Sequence, residues 1–213
     1  MKRAPVAGLF LILVFLSTNA FADVIFSGTG AFSADDDKQL FSFSLSTSTS
    51  VTLRTWSFAG GTNANGQVIP TGGFAPILTL FSATGTQDFL GSDAGGVAPG
   101  SCGPRNTDPA TGFCLDAYMN LSLTAGDYLL VLTQYDNTAN GPSYPDGFLH
   151  DGEGNFTGGP FILNAGNSYQ RTSDWAVDIT TPTSTVPVPE PSTGSLLAMS
   201  IGLVVRTMQK RRF

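Results

Sequence analysis

Residues 39–45 read Gln-Leu-Phe-Ser-Phe-Ser-Leu, so Phe41, Phe43 and Leu45 alternate with Ser42 and Ser44. That is the period-two pattern of a half-buried strand. Residues 51–58 repeat it, with Val51, Leu53 and Thr55 on one face and Thr52, Arg54 and Trp56 on the other. The run 128–134, Tyr-Leu-Leu-Val-Leu-Thr-Gln, is the most strand-like of the chain. A tight turn around Ala125-Gly126 separates it from a strand at 117–123, and this spacing predicts that the two pair as a hairpin. Further strands are expected at 24–32, broken by glycines, at 77–81 after Pro76, at 89–90, and at 173–180, where Trp175, Val177 and Ile179 share a face. Two long loops, 59–73 and 136–166, interrupt the series, and the second carries Tyr144, Phe148, Phe156 and Phe161. Helical periodicity is almost absent. Seven or eight short strands with turn signals argue for an all-β fold, a jelly-roll-like sandwich of antiparallel strands, with a barrel as the alternative.

The two ends follow other patterns. Lys2 and Arg3 precede an apolar run at 6–16, and Ala20-Phe21-Ala22 is a small-x-small cleavage site. Residues 1–22 therefore read as a signal peptide cut between Ala22 and Asp23. The exported domain is 23–180, and 181–188 is a linker. Residues 189–213 then carry Pro189-Glu190-Pro191, an uncharged run at 194–205, and a tail with Arg206, Lys210, Arg211 and Arg212. Alternate prolines hold the backbone extended, and the basic tail stays cytoplasmic by the positive-inside rule. A plain membrane anchor is one reading. In this order the three parts closely resemble the PEP-CTERM sorting domain of Gram-negative bacteria. The resemblance implies processing by an exosortase-type enzyme, inner-membrane anchoring by an apolar helix beforehand, and delivery to the cell surface or the exopolysaccharide matrix. The apolar run is short, about 18 Å as a helix, against the ~20 residues that a span needs.

Charge and cysteines narrow the exported part. Between Asp23 and Glu190 only Lys38, Arg54, Arg105 and Arg171 stand against all sixteen acids, a net charge of −12. Non-specific binding of nucleic acid or anionic lipid is excluded by that balance, while cations would be attracted. Fourteen of the acids are Asp, which favours turns over helix interiors. Cys102 and Cys114 flank a Gly/Pro-rich loop, and in an exported chain they read as a disulfide, stabilising by roughly 3 kcal/mol in the chain-entropy model.

The order of motifs across the domain also has a family look. Phe-x-Phe at 41–43, V-T-L at 51–53, I-L-T-L-F at 77–81 followed by A-T-G, S-D-A-G-G at 92–96, L-T-A-G-D-Y-L-L-V-L at 123–132 and W-A-V-D-I at 175–179 resemble the bacterial pre-peptidase C-terminal β-sandwich. R-T-W-S-F-A-G-G-T-N at 54–63, G-G-F-A-P-I-L at 72–78, C-L-D-A-Y at 114–118 and L-T-Q-Y-D-N-T-A-N-G-P at 132–142 look closer still to a family of exported bacterial proteins of unknown function. Both resemblances concern the fold and imply no activity.

Candidate chemistry is sparse. His150 is the single histidine, and a Ser-His-Asp site would need it beside a serine, yet no G-x-S-x-G elbow occurs. No carboxylate pair is singled out by spacing. These features point to a non-enzymatic protein. A structural calcium ion is expected at turn carboxylates, first at Asp35, Asp36, Asp37 and Asp93, and second at Asp146, Asp151 and Glu153, whose spacing is not that of an EF-hand. A glycan, such as an exopolysaccharide, would stack on Trp56, Tyr135 or Tyr144. Against that, large aromatics are mostly buried, which would put Trp56 and Trp175 in the core.

Overall fold

The computed structural model describes residues 22–83, 88–95, 101–164 and 167–183, within one compact unit, Ala22–Ser184. Its strands are β1 (Asp23–Ala31), β2 (Gln39–Leu45), β3 (Thr49–Thr55), β4 (Gly61–Thr62), β5 (Val68–Ile69), β6 (Pro76–Ser82), β7 (Phe89–Asp93), β8 (Tyr118–Leu123), β9 (Gly126–Gln134), β10 (Ile162–Asn164), β11 (Ser168–Gln170) and β12 (Asp174–Thr181). All strand pairings are antiparallel. One four-stranded sheet has the order β1-β12-β3-β8 and the other β2-β9-β6-β7, while β4-β5 and β10-β11 are two-stranded.

This corrects the expected single sandwich of seven to eight strands, because twelve strands lie in four separate sheets. The four additional strands are two or three residues long; β4, β5 and β10 sit inside the two long loops and β11 lies just after the second. Runs so short carry no readable alternation. The expected flanking apolar helix is corrected too. Among the described residues no helix is long and apolar enough to cross a membrane. The expected transmembrane helix and the inner-membrane anchoring inferred from it are thus not found among the described residues. The run 194–205, the apolar run 6–16 and Pro189-Glu190-Pro191 lie outside the described residues.

The main core forms where the inner faces of the two large sheets meet. Phe41, Phe43 and Leu45 of β2 join Leu78, Leu80, Tyr128, Leu130 and Leu132 from one sheet, and Val51, Leu53, Met119, Leu123, Val177 and Ile179 from the other. The unbroken apolar run of β9 has a different cause from simple alternation. Leu130 and Leu132 face the main core, whereas Leu129 and Val131 face a second cluster with Phe81 and Phe148. The loop after β9 folds back over the outer face of its sheet, so this strand is buried on both sides, as continuous apolar strands are. Gly28 and Gly30 do not break β1. A Cβ on Gly30 would lie 2.3 Å from the Trp175 ring, so that glycine is where the buried indole seats.

The expected hairpin between 117–123 and 128–134 is not formed. β8 pairs with β3, and β9 pairs with β2 and β6. The chain therefore changes sheets between Leu123 and Gly126, alongside the change between Leu45 and Thr49, since Leu123 lies opposite Thr49 and Gly126 opposite Leu45. The Tyr128 hydroxyl donates to the Thr124 carbonyl at 2.7 Å and its ring stacks on Phe43 with centroids 5.3 Å apart. A tyrosine closing a sheet-to-sheet corner in this way replaces the hairpin ladder. Tyr128→Phe keeps the packing and removes that bond, so stability should fall by about 1–2 kcal/mol. Urea unfolding of the two proteins checks this, and an unchanged midpoint would mean that the hydroxyl is dispensable.

Candidate functional site

The two acidic clusters noted in the sequence hold neighbouring loops. Asp35 is fully buried, and its carboxylate accepts from the Thr157 hydroxyl, the Thr157 N–H at 3.1 Å and the Phe161 N–H at 2.5 Å. Asp36 accepts from the Gly152 N–H at 3.1 Å. Asp37 closes the turn before β2 by accepting from the N–H groups of Ser33 and Ala34. Lys38 pairs with Asp151, whose other oxygen accepts from the Phe148 N–H, and Asp146 accepts from Ser143. Asp93 has a separate set of partners: Arg105 at 2.8 Å and the N–H groups of Tyr118 and Gly95. Among the described residues no group of three or more His, Cys, Asp or Glu is placed to hold a metal ion. Asp35, Asp36, Asp37 and Asp93 are thus not gathered around one point.

His150 lies over the same loop. Its Nδ1 is 2.8 Å from Glu153 and its Nε2 3.2 Å from Asp136, and its ring stacks on Phe156 at 3.9 Å. Burial pulls its pKa down, but the hydrogen bonds and charges of Glu153 and Asp136 outweigh that and leave it raised. Two carboxylates and a phenyl ring surround the imidazole, an arrangement that holds a loop and presents no nucleophile. Cys102 and Cys114 are joined to each other, with Cα atoms 5.5 Å apart.

The sugar-stacking candidates divide. Tyr144 is half-buried and packs edge-on against Phe81 and Phe148, so it belongs to the cluster outside β9. Tyr135 is 51% exposed and stands apart from the hollows described below. Trp175 is in the main core as expected, but Trp56 is not. It follows Arg54 on the face of β3 that points away from the core, and it is half-buried there. A shallow hollow of about 340 Å³ opens beside it, lined by Thr52, Arg54, Trp56, Asn63, Tyr118 and Asp178 among others. The indole N–H donates to Asp178 Oδ2 at 2.6 Å, and the Ala64 N–H donates to the same oxygen at 2.9 Å. Gly61 allows the 60–69 loop to approach the ring, since a Cβ there would lie 2.5 Å from it. The Arg54 guanidinium stacks 3.5 Å above the Trp56 ring. A second hollow, about 560 Å³, lies beside Gly30, Ile69, Thr71 and Trp175.

Sequence reasoning passed over the residues that are most deeply engaged. Asp116 is buried and accepts from Thr55 Oγ1 and the N–H groups of Phe58 and Ala59. Arg171 is buried against Asp108 at 3.2 Å and also donates to the carbonyls of Gly73 and Phe58. Arg54 and Asp178, opposite one another on β3 and β12, complete the hollow at Trp56. The available signal was scarcity: four cations among so many acids each have a specific place.

No family model and no curated protein matches the chain. Among solved structures the chain is similar to the pre-peptidase C-terminal domain of a collagenase from Bacillus anthracis. The two share 11% identity over 74% of this chain and 90% of that one, with a TM-score of 0.37, a weak and partial likeness.

Proposed function

We propose that this is a non-enzymatic exported protein, handed by its C-terminal Pro189-Glu190-Pro191 signal to an exosortase-type processing enzyme and sorted to the cell surface or exopolysaccharide matrix. The order of that motif, the apolar run and the basic tail carries the sorting part of the reading. The prolines would present Glu190 on an extended backbone for recognition. The non-enzymatic part is supported by how the acids are used. Asp35, Asp93, Asp108 and Asp116 all accept from loop backbone or from arginine, and His150 is held between two carboxylates. Such groups are engaged in building loops.

The expected result is an extracellular form that begins at Asp23 and lacks the apolar tail, and that disappears in Glu190→Ala. Intact-mass measurement on culture medium and on cells, for both proteins, tests it. A wild-type protein recovered with Phe213 in place would sink the sorting reading.

A second reading, a glycan-binding adhesin-like module, is favoured by one observation: Trp56 lies outside the core beside a hollow that Arg54, Asn63 and Asp178 also line.

A further inference from the structure

We propose that the hollow at Trp56 binds a carboxylated sugar, a uronic acid unit of an acidic polysaccharide, with Arg54 receiving the carboxylate and Asp178 a hydroxyl. This deepens the glycan-binding reading and rests on it.

The starting observation is an unpaired cation. Of the four Lys and Arg in the described residues, Lys38 pairs with Asp151, Arg105 with Asp93 and Arg171 with Asp108. Arg54 has neither an ion pair nor a side-chain hydrogen bond there, and its Nε is buried without an acceptor. Its one side-chain contact of note is the stack on Trp56. That stack fixes the guanidinium plane, with Nε buried and the two Nη groups left without a protein partner. Burial lowers the Arg54 pKa, although the charges of Asp116, Tyr118 and Asp178 oppose the shift. A buried polar atom lacking a partner calls for an explanation.

A second orphan lies in the same place. Asp178 is 5% exposed, and its Oδ1 has no donor, although Oδ2 has two. Both side chains line the hollow, and each carries an unmet polar atom just beneath its surface. An inorganic anion would satisfy Arg54 and offer Asp178 no sugar hydroxyl. A neutral sugar would satisfy Asp178 and leave the fork of Arg54 unmatched. A uronate offers a planar carboxylate for the fork and hydroxyls that donate to Asp178. Thr52, Asn63 and Thr180 add hydroxyl and amide groups around it, and the volume of about 340 Å³ falls at the small end of ligand sites. Polyanions without such a two-sided pattern are kept off by the domain's own negative charge.

The test titrates the full chain with a galacturonate trimer and with the uncharged galactose trimer in a calorimeter. The uronate should bind at least about tenfold tighter, and Arg54→Gln should lose at least about tenfold of that affinity. Thr180→Glu sets a like charge at the rim and leaves Arg54 in place. It should lose the uronate while melting like wild type, which keeps the test decisive if Arg54→Gln does not fold. Equal affinity for the two trimers, or undiminished affinity in both variants, overturns the carboxylate assignment and leaves the glycan-binding reading standing. Failure to bind either trimer, together with no retention on neutral or acidic polysaccharide beads, overturns both. Polyglutamate binding as tightly as the uronate would give the site to acidic peptides and overturn the sugar.

Discussion

Arg171→Met should cost about 3–5 kcal/mol of stability, a fall in Tm of roughly 10 °C for a domain of this size. The reason is what the substitution leaves behind. The side chains of Arg171 and Asp108 are 4% and 1% exposed, so Asp108 would remain as a buried carboxylate without its counter-charge. The carbonyls of Gly73 and Phe58 would lose their guanidinium donors as well, and the Phe58 ring would lose the cation 4.0 Å above it. Four segments meet at this arginine: the bend after β3, the approach to β6, the disulfide loop and the end of the β10-β11 hairpin. The double substitution Arg171→Met with Asp108→Leu should recover much of the loss, since removing both partners of a buried pair is far less harmful than removing one. Guanidinium unfolding of the single and double variants measures this. A single variant within about 1 kcal/mol of wild type would show that water reaches Asp108 and that the pair is not a clamp.

How much of this was legible depended on whether a residue's role is local. The faces of β2 and β3 could be read directly, because a strand with one wet face writes its burial into alternate positions. Phe41, Phe43, Leu45, Val51 and Leu53 are buried on that pattern. The turn at Thr124–Gly126 was visible, but its meaning was not. A tight turn between two strands looks the same whether the strands pair or part into different sheets. Here the choice is made by ladders with β2, β3 and β6, which are distant in sequence. Four short strands in and just after the long loops stay hidden for a related reason: two or three residues pair there because folded neighbours hold them.

The polar residues show the same limit. Asp35 stood out in the sequence as one of three consecutive acids, and a cation was the natural expectation. Its partners are instead backbone and hydroxyl groups more than a hundred positions later. Asp116 precedes a strand and Asp178 lies within one, and nothing nearby in sequence marks them as hubs. Trp56 was misplaced because average burial was allowed to outweigh its position. It shares a strand face with Thr52 and Arg54, opposite Val51, Leu53 and Thr55, and that alternation already put it on the outer side.

Asp116 joins this hub behaviour to pH. Asp116→Ala would leave the Thr55 hydroxyl and the N–H groups of Phe58 and Ala59 without an acceptor in a buried place. At about 1–2 kcal/mol for each of the three unmet groups, the loss should be roughly 3–6 kcal/mol. The subtler variant is Asp116→Asn, which keeps the shape and removes the titration. Burial pushes the Asp116 pKa up, while the hydrogen bonds from Ala59, Phe58 and Thr55 and the charge of Arg54 pull the other way without cancelling it. The folded chain therefore holds this proton more tightly than the unfolded chain, whose value is 3.8. Below 3.8 the stabilisation from this linkage is fully present, and it is lost as pH rises through the raised folded value. The stability of wild type minus that of Asp116→Asn should accordingly decline with increasing pH above the unfolded value and then level off. Denaturant midpoints for both proteins between about pH 3 and pH 8 give that difference directly. A difference that climbs with pH would mean that the three donors and Arg54 outweigh burial, making Asp116 a stabilised carboxylate.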